Sequence, residues 1–182
     1  MKKVFMLAMV ALMTLAVSNQ AQAIENPNPK GTTVIGIRAG YYPGFGVNVV
    51  GDYTLIDSWW KGHFTVGGYV GYNGRHYHYD YGYYGYRSNY MNFAVMPRVT
   101  YGLNITKDFE VHAGLMAGIN YQINNWVYDG GYLDNEHYSH TYFSHGEVLG
   151  ARYMFTPKFG AEFELVYSGY QSYLNFGVTM KL

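Results

Sequence analysis

The feature that most constrains the fold of this chain is a two-residue alternation of apolar and polar side chains. In the closing segment every second residue is apolar: Leu174, Phe176, Val178, Met180 and Leu182. Successive side chains of a β-strand point to opposite faces, so this period predicts strands that each carry one apolar face. The pattern recurs from residue 33 to the end of the sequence with no helical period between. We therefore predict an all-β fold.

Sorting the chain in this way yields eight strands of about ten residues each. Pro97 falls on the apolar face of the fourth strand and should mark a bulge or a local break, because proline has no N–H for the ladder. Glu147 falls on the apolar face of the sixth strand, so either it lies at a rim or the register there is shifted. The predicted strand ranges are 33–42, 47–56, 62–72, 91–103, 109–121, 144–155, 158–168 and 174–182.

The composition restricts the environment of such a fold. Only 13% of the residues are charged, whereas an ordinary soluble domain has about a quarter, and 49% are apolar. Beyond the first two dozen residues, no stretch approaches the roughly 18 apolar residues that a membrane-spanning helix needs. The 19% aromatic content excludes intrinsic disorder. The lack of cysteine excludes a disulfide scaffold, a thiolate metal site and a cysteine nucleophile.

The connections between the strands indicate an up-and-down barrel. Tight turns at 57–61, 104–107 and 156–158 alternate with links that include two long loops, at 73–88 and 124–143. Eight antiparallel strands with both chain ends on the tight-turn side are typical of an outer-membrane β-barrel. In such a barrel the short turns and both termini are periplasmic, and the long loops are extracellular.

The beginning of the chain has the organisation of a secretory signal peptide. Lys2 and Lys3 precede an apolar run at 4–17, and an Ala-Gln-Ala cleavage motif ends at Ala23. Without these two lysines, 10 of the 12 basic side chains remain against 12 acidic ones, which gives no basic surface for nucleic acid. The chain is therefore expected to divide into a signal peptide at 1–23, a short mobile periplasmic lead-in at 24–31 and the barrel at 32–182.

Alternation alone also fits a soluble, secreted lipocalin-like barrel with its apolar face inward, which stays an alternative. Three features favour the transmembrane arrangement. The polar face is rich in glycine, which suits a crowded interior, and the apolar face has almost no charge, as a bilayer requires. Aromatic residues gather at the strand ends, where they would form two interfacial girdles. These girdle residues include Trp59, Trp60, Tyr101, Phe109 and Phe155.

The charges of the polar face are predicted to pair inside the barrel. Each arginine there has an acidic residue on the next strand. Because an eight-stranded barrel is filled by side chains, these groups should form a packed polar plug and not a conducting lumen. The expected pairs are Arg38 with Asp52, Arg98 with Glu110, and Arg152 with Glu162 and Glu164.

Two segments carry a likeness to known proteins. They are MPRVTYGLNITKDFEVHAGLMAGINY at 96–121 and the closing LNFGVTMKL at 174–182. On these segments the chain resembles small eight-stranded outer-membrane barrels of the OmpA/OmpX type, and more closely the outer-membrane β-barrel domain family that includes PorT-like proteins. The resemblance covers nearly all of the mature chain. It implies contact with outer-membrane lipid and with the barrel-assembly machinery, and no particular activity.

The two long loops hold the candidates for a metal site. His76, His78 and Asp80 alternate, so they would project to one side of an extended strand. Neutral imidazole and carboxylate ligands suit zinc, nickel or copper. His137 and His140 are further candidates in the second loop. A platform for a divalent metal or a small ligand is therefore one alternative function, although no resident cofactor is required.

The same loops are rich in Tyr, Gly, Ser and Asn, the composition of binding loops. We favour a structural role or a recognition and adhesion role, with an unidentified extracellular ligand or surface as partner. Alternatively, the tyrosines extend the strands above the membrane and hold the hairpins together through cross-strand pairs.

A catalytic alternative rests on three residues. His137, Ser139 and Glu147 are similar to the His-x-Ser…Glu arrangement of outer-membrane lipid A deacylases, although His140 stands where that family carries asparagine. A serine nucleophile needs a base and an orienting carboxylate within reach. No phosphate loop or nucleotide motif is present. We predict a protein that is not an enzyme, with a lipid-modifying hydrolase as the alternative.

Overall fold

The computed structural model describes residues 26–182 apart from 42–43, 60–61, 82–83, 130–135, 169–170 and 172, so the predicted signal peptide lies outside the described residues. None of the described residues forms a helix long and apolar enough to cross a membrane. The described chain forms eight strands: β1 (Thr33–Tyr41), β2 (Phe45–Trp59), β3 (Gly62–Tyr81), β4 (Tyr84–Asn104), β5 (Phe109–Asp129), β6 (Glu136–Met154), β7 (Phe159–Tyr167) and β8 (Leu174–Lys181).

The eight strands form a closed antiparallel barrel. Each strand pairs with the next one along the chain, and β8 pairs with β1. The predicted all-β, up-and-down barrel of eight strands is therefore confirmed. Both ends of the described chain lie at the end of the barrel that has the short turns, which we call the short-turn end.

The stagger of the strands sets their tilt. A path of directly paired residues that leaves Tyr41 through β2 reaches Ser139 of β6. The path that leaves Tyr41 through β8 reaches Leu149 of the same strand, ten residues further along. With about 3.3 Å per residue and about 4.7 Å between strands, a stagger of ten residues corresponds to a tilt of about 40°.

Side chains alternate between the lumen and the outer surface, except near the end of β2, where the register shifts and Leu55 and Ile56 are both exposed. On β4, Met96 and Arg98 are 0% and 2% exposed, whereas the flanking Val95 and Val99 are 62% and 50% exposed. The outer surface is thus a continuous apolar band, which a water-facing surface does not carry. The transmembrane arrangement is confirmed, and the lipocalin-like alternative is wrong because the apolar side chains face outward.

Aromatic side chains border this band. At the short-turn end the rings of Trp59, Phe64 and Tyr101 have centroids 4.7 to 5.9 Å apart. At the opposite edge the centroids of Tyr72 and Phe93 are 5.1 Å apart. The predicted residues Phe109 and Phe155 lie at the short-turn edge, and Trp60 lies outside the described residues.

The height of the band follows from the tilt. Phe143 and Tyr153 face outward on β6 and are ten residues apart. At a tilt of about 40° these ten residues span about 25 Å along the barrel axis. That is the height of the apolar band in outer-membrane barrels.

Four strands extend far beyond their predicted ranges. β3 and β4 stay paired as far as Tyr81 and Tyr84, and β5 and β6 as far as Trp126 and Glu136. The prediction of long loops at 73–88 and 124–143 was wrong over most of both ranges. Beyond the membrane band both faces of a strand meet water, so the apolar and polar alternation that reveals a strand disappears. The extension of the strands beyond the membrane, which the alternative interpretation predicted, is confirmed.

We call this extension of β3, β4, β5 and β6 the tall sheet, and it comprises residues 75–81, 84–91, 122–129 and 136–142. Each strand adds about eight residues, so the tall sheet rises about 20 Å above the band. The other four strands stop lower, because β2 last pairs with β3 at Gly74 and β7 last pairs with β6 at Glu147. The barrel is therefore high on one side and low on the other.

Two positions that looked irregular in the sequence, Pro97 and Glu147, fit the barrel without a shift of register. Pro97 faces outward, as predicted, and the register between β4 and β5 is the same on either side of it, at Val95↔Ile119 and Arg98↔Met116. The ladder is thus interrupted there without a bulge. Glu147 faces outward and pairs with Tyr167, the last residue of β7. It lies at the low rim, and the register of β6 was predicted correctly.

Candidate functional site

Residues 26–31 cross the short-turn end of the barrel, and we call them the strap. Asn28 is only 3% exposed, and its side-chain amide donates a hydrogen bond of 2.6 Å to Glu110 on β5. Lys181 of β8 donates to the carbonyl oxygen of Pro27 at 3.0 Å, and the Gly31 amide donates to Thr54 of β2 at 3.0 Å. The expected mobile lead-in is, over these residues, a fixed cover, because partners distant in the sequence hold it.

A layer of buried charges lies above the strap and spans the lumen. Arg98 donates to both carboxylate oxygens of Glu164, at 2.9 and 3.2 Å. Arg38 lies 2.5 Å from Glu164 and donates to Glu162 at 3.0 Å. Arg152 donates to Glu162 at 2.6 Å. Because every one of these charges has an oppositely charged partner, the layer tolerates burial that would be prohibitive for any one charge alone.

Two of the predicted ion pairs are wrong. Asp52 is directly opposite Val34, four residues along β1 from Arg38. Arg38 instead reaches over Gly177 of β8 to Glu162 of β7. Glu110 is directly opposite Asn104 and not Arg98. Arg98 lies 3.0 Å from Asp52 instead.

Of the two partners predicted for Arg152, Glu162 is correct and Glu164 is not. Glu162 lies directly opposite it on β7 and accepts its hydrogen bonds. Glu164 contacts Arg38 and Arg98 instead. Arg152 also lies 3.3 Å from Glu110, its direct neighbour on β5.

Two histidines complete the charged layer. His112 lies between two carboxylates, with Nδ1 3.4 Å from Glu110 and Nε2 3.2 Å from Glu164. Its ring rests on Gly150, and the ring of His63 rests on Gly102; a Cβ at either glycine would overlap the ring. The interior glycines thus provide the space in which the charged side chains lie, as the glycine-rich polar face suggested.

One group of ligand atoms in this layer converges closely enough for a metal. His112, Glu162 and Glu164 bring ligand atoms within 4.8 Å of one another. The guanidinium groups of Arg38, Arg98 and Arg152 already contact these carboxylates. These guanidinium groups occupy the places that a metal ion would need. His112, Glu162 and Glu164 are therefore members of an ion-pair network.

An apolar layer separates the charges from the opposite end of the lumen. Its members come from β2 to β7 and are almost fully buried. The two-residue alternation puts Met96 and Met116 on the inward face, but it does not reveal that they pack in one layer. The layer consists of Val50, Tyr69, Ala94, Met96, Met116, Val148 and Val166.

A hydrogen-bonded floor lies above the apolar layer. Gln171, in the link between β7 and β8, is 1% exposed and accepts a hydrogen bond from Tyr69 at 2.9 Å. Its amide donates to Asn120 at 2.6 Å, and Asn92 donates to the same oxygen at 3.1 Å. Tyr142 donates to Asn92 at 3.1 Å. We call these five side chains the amide floor. Sequence reasoning missed them, because alternation marks an inward residue but does not show which partners meet across the lumen.

The inner face of the tall sheet stands above the amide floor. Tyr77 of β3, Tyr90 of β4 and Trp126 of β5 form a row, with ring centroids 6.0 and 6.4 Å apart. His140 and Tyr142 of β6 stack, with centroids 5.9 Å apart. The low strands β1, β2, β7 and β8 end beneath this face, so among the described strands it has no facing wall.

The candidates for a metal site are divided between the two faces. His76 and His78 lie on the outer face of β3, His137 lies on the outer face of β6, and His140 lies on the inner face of β6. Asp80 lies on β3, but its side chain is outside the described residues. Two strands separate β3 from β6, so these side chains are not brought together as one group. Metal binding at any of them stays a prediction.

The three candidates for a hydrolase lie on one strand. His137 and Ser139 share the outer face of β6, where His137 contacts Asn125. Glu147 is eight residues beyond Ser139, and at about 3.3 Å per residue the two Cα atoms are about 26 Å apart. The proposed triad is wrong, because an extended strand separates its members.

Known structures share this architecture. No protein-family model matches the sequence, and no characterised protein sequence matches it. The Yersinia pestis outer membrane protein Ail, solved in a phospholipid bilayer nanodisc, is similar at 13% identity and a TM-score of 0.51, over 84% of this chain and 99% of that one. The fold is that of the small outer-membrane β-barrels.

Further structures match with lower TM-scores. The N-terminal β-barrel domain of Pseudomonas aeruginosa OprF is 15% identical over 84% of this chain and 98% of that one, with a TM-score of 0.47. Neisserial surface protein A is 13% identical over 83% and 93%, with a TM-score of 0.36. At sequence identities this low, the similarity between this chain and the solved outer-membrane barrels shows a shared fold alone.

Proposed function

We propose that this protein resides in the bacterial outer membrane, with both termini periplasmic, and recognises an extracellular partner through the tall sheet. The observation that carries the proposal is the asymmetric height of the barrel. Four neighbouring strands continue about 20 Å beyond the apolar band, while the other four end at its edge. Only a function outside the bilayer requires this extra sheet, because the band alone spans the membrane.

The interior supports a binding role over a channel role. A charged layer, an apolar layer and an amide floor succeed one another along the lumen. Wide aqueous channels need about 16 strands, twice the number in this barrel. The short turns and the strap lie at one end and the tall sheet at the other, so the usual orientation of such barrels puts the tall sheet outside the cell. Delivery by the barrel-assembly machinery is part of the same proposal.

A shortened barrel tests the proposal. Gly74 is directly opposite Met91, and Tyr121 is directly opposite Thr141. An Asn-Gly turn between the members of each pair therefore removes all but the lowest residues of the tall sheet without a change of register. We expect the shortened protein to fractionate with the outer membrane and to shift on unheated gels like the wild type. Cells that display it should lose attachment to glass, to polystyrene and to one another.

The control is Lys107→Ala, in the short turn between β4 and β5, which should leave attachment unchanged. Equal attachment by cells with the full and the shortened barrel would contradict the recognition role. A peptide tag in the β3–β4 turn should be labelled on intact cells, and a tag in the β4–β5 turn only after lysis. The reverse labelling would contradict the orientation.

A further inference from the structure

The inner face of the tall sheet has an aromatic row that crosses three strands. Tyr77, Tyr90 and Trp126 are each half-buried, and their planes meet at 90° and 72°. Edge-to-face contacts hold neighbouring rings in fixed orientations, so the row is a rigid and not an adaptable surface. Rigid aromatic side chains supply contact area at a low cost in conformational entropy.

Uncharged hydrogen-bonding groups lie between and beside these rings. Ser88 of β4 donates to Asn124 of β5 at 3.1 Å, and Gln122 is the next inward residue of β5 toward the amide floor. Asn92 and Asn120 of the floor close the lower end of the face. The face therefore combines flat apolar rings with amide and hydroxyl groups at short intervals.

Formal charge is scarce on this face. Among the inward side chains that the structure describes in the tall sheet, Arg75 and Glu136 are the charged ones, and Glu136 lies at the tip of β6. The Arg75 guanidinium lies 5.2 Å from the centroid of the Tyr77 ring and donates to its hydroxyl. A polyanionic ligand needs several basic groups along its path, which the described side chains of this face do not provide. The charge pattern matches an uncharged ligand.

We infer that the inner face of the tall sheet binds a neutral oligosaccharide, an inference that rests on the recognition role proposed above. A sugar ring offers C–H groups on its faces and hydroxyl groups at its edge. The C–H faces pack on aromatic rings such as Trp126 and Tyr90, and the hydroxyl groups exchange hydrogen bonds with amides such as Gln122 and Asn124. A binding site that joins apolar area to a few placed polar groups is the usual design for a small ligand.

Adjacent residues of β5 provide matched variants for the test. Trp126 and Asn124 face inward, whereas Val127 and Asn125 face outward on the same strand. Binding of maltohexaose, cellohexaose and chitohexaose to the purified full-length protein in lipid nanodiscs would be measured by calorimetry. Two further probes are a heparin hexasaccharide and a Thr-Val repeat peptide able to pair with the open edge of β6. The shift on unheated gels verifies the fold of each variant.

We expect saturable binding of at least one neutral hexasaccharide. Trp126→Ala and Asn124→Ala should each lower the affinity for it at least about tenfold, as expected for residues at a binding hot spot. Val127→Ala and Asn125→Ala should bind within about twofold of wild type, because their side chains lie on the opposite face.

Three results would overturn the inference: no binding of any neutral probe, binding of only the heparin fragment or the peptide, or equal losses in the inward and outward variants. If none of the neutral probes binds while the shortened barrel still abolishes cell attachment, the oligosaccharide inference fails and the recognition role stands.

Discussion

Arg98 of β4 and Glu164 of β7 meet in the middle of the lumen, where two guanidinium nitrogens lie 2.9 and 3.2 Å from the two carboxylate oxygens. The two strands belong to opposite walls of the barrel, so this pair connects walls that share no backbone hydrogen bonds. Removal of Arg98 leaves Glu164 with Arg38 and His112 as partners and takes one positive charge out of a buried layer, which costs more than the intact pair contributes.

Arg98→Ala should lower the free energy of unfolding by about 3 to 5 kcal/mol, because Glu164 and Asp52 lose their shared partner. Urea unfolding in lipid vesicles measures the loss. The double variant Arg98→Met with Glu164→Gln should recover part of it. As a control, Arg87→Ala on the exposed outer part of β4 should change stability by at most about 1 kcal/mol. Equal stability of Arg98→Ala and wild type would refute the packed plug.

Gly150→Ala should destabilise the barrel by about 1 to 3 kcal/mol, because the added methyl group overlaps the His112 ring. The ring lies between two carboxylates, with Nε2 3.2 Å from Glu164 and Nδ1 3.4 Å from Glu110, so a displacement of the ring would disturb these contacts. Gly51→Ala is the matched control, since a Cβ at Gly51 meets nothing within 4 Å. That change should be neutral or stabilising by up to about 1 kcal/mol. The same urea titration compares the two, and a similar loss in both would show that the space over Gly150 is not needed.

Asn28→Ala should lower stability by about 1.5 to 3 kcal/mol, the range for a hydrogen bond to a charged group, because Glu110 loses a buried donor. Lys30→Ala is the control within the same strap. Lys30 donates to Asp57 through its backbone amide, which alanine retains, so stability should change by less than about 0.5 kcal/mol. If the two variants unfold alike, the strap is held by its backbone and not by Asn28.

Gln171→Ala should loosen the link between β7 and β8 while leaving the barrel intact. The change removes an acceptor for Tyr69 and a donor to Asn120. The local stability of the link should fall by about 1 to 3 kcal/mol. Chymotrypsin should then cleave at the tyrosines of this link about 5 to 150 times faster than in the wild type. Tyr69→Phe, which removes the hydroxyl group alone, should give a smaller increase. Unchanged cleavage in Gln171→Ala would show that the amide floor does not hold the link.

The barrel could be predicted from the sequence because each strand that crosses a bilayer must present apolar side chains to the lipid. Around Val99 each outward residue from Phe93 to Leu103 is apolar or aromatic, and the structure keeps these residues on the outer face. The rule fails in the tall sheet, where His76 and Tyr77 differ little in polarity although they lie on opposite faces. The ends of strands that extend beyond the membrane are therefore hard to predict from the spacing of apolar residues.

The contacts inside the lumen were less predictable, because they depend on register and on the reach of long side chains. Arg38 and Asp52 are on neighbouring strands, yet the register places them four positions apart. Glu164 lies two strands away from Arg38 in the closed barrel, on β7 beyond β8, and it comes within reach of Arg38. Chain order indicates which strands are adjacent, whereas the stagger of the barrel determines which side chains meet.

The strap has a consequence for the order of assembly. It is bonded to Thr54 of β2, Glu110 of β5 and Lys181 of β8, residues spread over almost the whole barrel sequence. These partners come together only when the last strand has joined the first. The strap, which precedes β1, is therefore the final segment to reach its place, and its docking marks a barrel that has closed.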